Sequence, residues 1–211
     1  MENNKTKKKV NIFQSNEILM LIVLAIVIAI FTGLNKNFFS ITNFTNILMA
    51  ASTIGLLAIG ETYLIIAGHI DLASAHTASL FGVMMALLVN KNIPWGLAIL
   101  IVVICSAIVG LCNSLLVNIF ELQPFIATLA ISQVCQGAAY LICDGKSQPV
   151  ANQAYNQIGT MRIMGIPFPA IIMVIFFIVF GFILSKTVFG RSVYMVGGNP
   201  EAARLAGLSP K

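Results

Sequence analysis

Four ionisable side chains crowd one apolar stretch, AIGETYLIIAGHIDLASAHTASL, which carries Glu61, His69, Asp71 and His76. Histidines and carboxylates together suggest three kinds of chemistry. As metal ligands, His69, Asp71 and His76 would make an intramembrane hydrolase. Metal-binding helices, however, commonly set two histidines at i and i+4; here seven residues and a helix start separate them, and neither HExxH nor GxSxG occurs. As a relay, Glu61 or Asp71 would pass protons or cations through a secondary transporter, whose sites are often built from broken helices near the midplane. As local structure, GHID is a cytoplasm-side turn in which Asp71 caps the following helix and Glu61 snorkels toward the same interface. Ionisable groups at membrane depth point by default to function, pairing or a water-filled cavity. Glu61, Gly68, His69, Asp71 and His76 are therefore candidates for a translocation path, alongside the turn-and-cap reading.

The elements that position them follow from composition. Of 211 residues, 58% are hydrophobic and 9% charged, where a soluble domain carries about 25% charged residues. The apolar residues lie in long blocks, the pattern of an all-α polytopic membrane protein. Six blocks approach the roughly 20 residues needed to span a bilayer: residues 18–34, 44–66, 72–89, 94–117, 125–142 and 169–186. The lysines before the first block resemble the start of a signal peptide. No small-x-small cleavage site follows, so this block reads as an uncleaved first span.

Charge placement tests the count. With residues 1–17 a basic cytoplasmic N-terminus, six crossings put Lys5, Lys7, Lys8, Lys9, Lys186, Arg191, Arg204 and Lys211 inside, and Lys36, Lys91, Lys146 and Arg162 outside. Five or seven crossings would break this positive-inside bias. The expectation is a multi-pass protein of the bacterial plasma (inner) membrane, with residues 143–168 a periplasmic loop and 187–211 cytoplasmic. The basic run serves topology, not nucleic acid. Cys105, Cys112, Cys135 and Cys143 show no CxxC or zinc-finger spacing and read as small hydrophobes.

Within the spans, Pro94 and Pro169 sit at helix starts, where a missing N–H costs nothing. Gly55, Gly60, Gly82, Gly110 and Gly137 offer small faces for close helix packing.

The chain ends differently, on GGNPEAARLAGLSPK. Gly197–Gly198 break the chain, Asn199 is an N-cap, Pro200 suits the first helical position, and Glu201 suits the positive end of the helix dipole. Ala202, Ala203, Arg204, Leu205 and Ala206 continue the turn, Gly207 gives a left-handed stop, and Pro210 prevents resumption. A helix of about two turns is unstable alone, so it must dock, either on its own membrane domain or on a cytoplasmic partner. The small alanine-rich face flanked by Glu201 and Arg204 suits a groove in another protein.

These residues resemble a family. GGNPEAARLAGLSP is similar to the cytoplasmic coupling segment of permease subunits in bacterial ABC importers of the ribose/simple-sugar and autoinducer branch. ETYLIIAGHIDLASA is similar to that family's Gly-Gly-Ile-Asp-Leu-Ser turn, with His69 in place of the second glycine and different residues at Ala73, Ala75 and His76. NSLLVNIFELQPFIATLAISQVCQGAAYLICDGKSQP resembles its crossing into a periplasmic loop.

The resemblance implies that Asn199–Gly207 dock an ABC ATPase subunit. It also implies a second permease subunit that completes the pore, and a periplasmic or lipid-anchored binding protein that delivers a sugar-like small molecule. This chain would hold no cofactor: ATP and Mg would belong to the partner, in keeping with the absence of GxxxxGK[ST]. Members are longer, with a second set of spans after the coupling segment. The expectation is therefore the N-terminal portion of a permease, with an inactive truncated permease as one alternative and the secondary transporter as another.

Overall fold

A computed structural model describes residues 16–208; the basic cluster Lys5–Lys9, Pro210 and Lys211 lie outside them. The described residues are mostly helical: α1 (Asn16–Leu34), α2 (Ile41–Ile66), α3 (Ser74–Asn90), α4 (Trp95–Asn118), α5 (Pro124–Cys143), α6 (Gln153–Thr160), α7 (Phe168–Lys186), α8 (Val188–Gly198) and α9 (Pro200–Leu205). Each of the six apolar blocks forms a helix. Four of these, α2, α4, α5 and α7, are long and apolar enough to cross a membrane; α1 and α3 carry shorter apolar stretches. Their outward faces are hydrocarbon, as on α7, where Ile175, Phe177, Ile178 and Phe182 are exposed. Water would not tolerate that surface; lipid does.

The chain divides into two compact units, Met1–Ile47 and Leu48–Lys211. In the first, α1 ends in a polar turn that the sequence closes locally. Phe31 stacks on Phe38 with ring centroids 5.4 Å apart, and Ser40 caps α2 by accepting a hydrogen bond from the Asn43 N–H. The Asn43 amide donates back to the Phe38 carbonyl.

In the second unit, α3 packs chiefly against α5 and α4. Phe81, Met85, Ala86 and Val89 of α3 are buried, with Ala127, Thr128, Ser132, Cys135 and Ala139 of α5 opposite. Two polar contacts fix the register: His76 Nδ1 lies 2.6 Å from Ser132 Oγ, and the Thr77 hydroxyl donates to Cys135 Sγ at 3.7 Å. Ser132 is eight residues into α5 while His76 is only two into α3. Helix α3 therefore starts six residues further in than its neighbour, about 9 Å at 1.5 Å per residue. Its 17 residues cover about 25 Å, short of the roughly 30 Å hydrocarbon core. The turn before it is thus set back along the bundle from the start of α5, with His69 and Asp71 half-buried and Gly68, Ile70 and Leu72 exposed.

At the opposite end of α3, the Asn90 amide donates to the Pro149 carbonyl at 2.9 Å and accepts from the Ala151 N–H at 3.0 Å. Val150 and Tyr155 pack on the cluster of Met85, Val89 and Ala98. The segment between α5 and α7 is thus no plain loop. It holds α6, capped by Asn152 through the Tyr155 N–H, and an antiparallel hairpin, β1 (Arg162–Ile163) with β2 (Ile166–Pro167). The purely α-helical expectation is corrected by this hairpin, whose turn needs Gly165 at φ +84° and Met164 at φ +52°.

Replacing Asn90 by Ala removes two hydrogen bonds that hold this segment to α3. The expected cost is about 1–3 kcal/mol, read as faster tryptic cleavage at the exposed Lys146 in Asn90→Ala than in the parent, with cleavage elsewhere unchanged.

Candidate functional site

The two stretches singled out by sequence, the GHID turn and the polar tail, meet in space. Helix α2 ends in a Schellman motif: Gly68 takes φ +86°, its N–H donates to the Ile65 carbonyl, and the His69 N–H reaches back to the Leu64 carbonyl. The Ala67 N–H takes the Tyr63 carbonyl. That leaves the Ile66 carbonyl, and Gly197 of α8 lies directly against it. A Cβ on Gly197 would overlap Ile66 O and crowd the Ala67 Cα. Backbone meets backbone here, so only glycine fits.

Side chains reinforce the contact. The Tyr63 hydroxyl donates to the Phe180 carbonyl of α7 at 2.5 Å. Its ring stacks on Phe189 of α8 and meets Phe180 edge-on, both at 6.1 Å. Higher up, a Cβ on Gly55 would strike the Met173 side chain of α7. Helix α2 therefore meets α7 and α8 at separate points, Gly55, Tyr63 and Ile66.

Helix α8 interrupts the expected order of span followed directly by coupling helix. Thr187 starts it, accepting from the Gly190 N–H at 3.2 Å while donating to the Ile183 carbonyl at 2.6 Å. Gly190 lets the chain fold back on α7, since a Cβ there would overlap the Leu184 carbonyl. Gly197 and Gly198 do not break the chain as expected; they are the last residues of α8. The break falls at Asn199, in extended conformation at φ −156° and ψ 98°.

Helix α9 is built as the sequence reads. Asn199 Oδ1 accepts from the Ala202 N–H at 3.0 Å, and Pro200 stands in the first turn. Gly207, at φ +81°, closes a second Schellman motif, with Gly207 N–H to Arg204 O and Leu208 N–H to Ala203 O. Glu201 and Arg204 pair at 3.4 Å in solvent, a contact of little energetic weight. The alanine face is corrected at one position, Ala203, while Ala202 and Ala206 stay exposed. Ala203 is fully buried against its own chain, where α8 packs on α9, so it is not available to a groove elsewhere. What α9 presents outward is Pro200, Glu201, Ala202, Arg204, Leu205, Ala206 and Gly207, with Leu205 86% exposed.

The ionisable residues do not gather into one centre. Asp71 Oδ1 accepts from the Ala73 N–H at 2.7 Å, holding the turn just ahead of α3. His76 faces Ser132, and His69 is half-buried in the turn. Glu61 is half-buried on α2. Among the described residues, no three His, Cys, Asp or Glu side chains converge as metal ligands would. Sequence reasoning missed Tyr63 and Gly190 and gave Gly197 a different role. A glycine at each end of an amphipathic stretch was the available signal for the last two. Of the glycines expected to pack, only Gly55 does so; Gly60, Gly82, Gly110 and Gly137 have nothing within 4 Å of a built Cβ.

Residues 43–211 match the family model described as branched-chain amino acid transport system, permease component. Among characterised relatives, the ribose import permease protein RbsC of Haemophilus influenzae is 34% identical over 89% of this chain and 59% of its own. The ribose import permease protein RbsC of Bacillus subtilis is 35% identical, covering 89% of this chain and 58% of its own. The L-arabinose ABC transporter permease protein AraH of Azospirillum brasilense is 33% identical, covering 82% and 51%. The chain thus spans between 51% and 59% of the length of these relatives. No solved structure gives a significant match.

Removing either end of α9 should loosen it alone. Asn199→Ala loses the cap and Gly207→Ala forces a side chain to positive φ, each costing about 1 kcal/mol. Limited trypsin digestion should show faster cleavage after Arg204 in both variants, and no change at Lys146.

Proposed function

Given that the chain belongs to the permease-component family of branched-chain amino acid transport systems, we propose that it is a membrane-spanning permease subunit of an ATP-binding-cassette importer for a sugar-like solute. In this reading α1, α2, α3, α4, α5 and α7 make six crossings, with the N-terminus and the α8–α9 tail in the cytoplasm of a bacterial cell whose inner membrane holds the protein. A partner ATPase binds ATP and Mg and docks on α9; a second permease subunit completes the pore; a binding protein delivers solute to the opposite side.

The observation that carries this reading is the short helix that is capped at both ends and packed on α8, whose Gly197 abuts the end of α2. A helix of six residues has no stability of its own. Its inner face is held by the chain through Ala203, and its outer face presents one bare leucine beside the paired Glu201 carboxylate and Arg204 guanidinium. That is the form of a small docking knob, with an apolar anchor and a charged rim. The relatives supply the solute class: their names specify ribose and arabinose. The unfilled small faces at Gly60, Gly82, Gly110 and Gly137 support a second subunit, since small residues let transmembrane helices approach closely.

Force applied at α9 has a short route inward. It passes through α8 to Gly197, and from there to the Ile66–Ala67 backbone and the turn at Gly68–Asp71. Beyond the turn, α3 runs as one helix to Asn90, which grips the segment on the far side. A partner that pulled the tail would therefore move the break in the transmembrane bundle and the outer segment together.

Leu205→Asp tests the docking face without disturbing the fold, because Leu205 touches little of its own chain. Co-purification of the ATPase should fall by about tenfold or more, the loss expected for an interface anchor. Reversing both Glu201 and Arg204 should weaken it less. Full ATPase recovery with Leu205→Asp, or after deletion of residues 199–211, would sink the reading.

A further inference from the structure

A second polar feature lies away from the tail, between α3 and α5. His76, Ser79 and Val83 stand at i, i+3 and i+7 along one face of α3, and Gln136, Tyr140 and Cys143 at i, i+4 and i+7 along the facing side of α5. Together with Ala139, Gly145, Lys146 and Ser147 they line an open cleft of about 420 Å³, within the range of about 300–1,000 Å³ usual for small-molecule sites. The cleft reaches from the His76–Ser132 pair, near the middle of the 20-residue α5, to the segment after α5 that faces Asn90.

Such a stripe is hard to reconcile with lipid. Gln136 is half-buried, and among the described residues its amide makes no hydrogen bond. An amide without a partner in hydrocarbon carries a heavy desolvation cost, and polar side chains within spans face a bundle interior or water. The Ser79 hydroxyl, on the exposed side of α3, has the same difficulty.

We propose that the α3–α5 cleft is a hydrated path along which a neutral monosaccharide moves, with Ser79, Gln136 and Tyr140 as its contact residues; this rests on the permease reading above. The lining chemistry selects the class. Serine and glutamine offer donors and acceptors in the mixture that sugar hydroxyls require, and the Tyr140 ring gives a flat face to a sugar's C–H surface. No carboxylate lines the cleft, and its one ammonium, Lys146, stands at the outer mouth, so a charged solute would find no counter-ion inside. The shape is open rather than enclosing, which suits passage over retention. Inside the path, the His76–Ser132 pair joins the two walls and sets the floor.

Thiols react as thiolates and so need water, which makes cysteine labelling the direct test. In native membranes carrying the assembled transporter, with Cys105, Cys112, Cys135 and Cys143 replaced by Ala, Ser79→Cys and Gln136→Cys are treated with a membrane-impermeant methanethiosulfonate. Val134→Cys, on the exposed side of α5 away from the cleft, is the lipid-facing control. Labelling of both cleft positions should be severalfold faster than at Val134, and D-ribose or L-arabinose should slow it at Gln136. Rates equal to the control overturn the hydrated path; fast labelling that neither sugar slows overturns the solute contact. Either failure leaves ATPase co-purification, which tests the permease reading separately, as it was.

Discussion

The arrangement depends on a contact between two stretches of main chain. Where α2 ends, its Ile66 carbonyl faces Gly197 of α8 with no room for a Cβ on the glycine. A helix end in an apolar setting must account for its last carbonyls. Those of Tyr63, Leu64 and Ile65 are taken by the turn itself, and the fourth is covered by α8. Because backbone atoms cannot yield as a long side chain does, the contact is stiff. Movement of α8 becomes movement of the turn.

That stiffness gives meaning to the offset of α3. Starting about 9 Å further along than α5, α3 sets the Gly68–Asp71 turn back from the end of its neighbour, and it ends at Asn90 on the segment that carries α6 and the hairpin. One short helix therefore joins the braced turn to the segment between α5 and α7. The Asp71 carboxylate, engaged with the Ala73 N–H, holds the joint between turn and helix. In this conformation it pins that joint. The cleft between α3 and α5 shares a wall with this same helix, so a shift of α3 would alter the path beside it.

Much of this was legible in the sequence because the governing signals are local. Long apolar blocks gave six helices whose ends fall within a few residues of expectation, and Asn199, Pro200 and Gly207 announced α9 by cap chemistry alone. What escaped detection was tertiary. Gly197 read as part of a chain break and Gly190 drew no reading, yet both are there for close approach to neighbours that no linear pattern reveals. Helix α6 has eight residues, most of them polar, and owes its place to Asn90 and to Tyr155 packing on α3. The direction in which α9 faces depended on burial of Ala203, which a row of similar alanines could not disclose.

The central claim is that the tail and the Gly68–Asp71 turn are one mechanical unit, and amide hydrogen exchange reads this directly. In lipid nanodiscs, Gly197→Val should speed exchange at the amides of Ala67, Gly68 and His69, which close the end of α2, while those of α4 and α5 keep the parent's rates. Unchanged exchange at Gly68 and His69 in that variant would contradict the account, because it would show that the turn holds its shape without the tail.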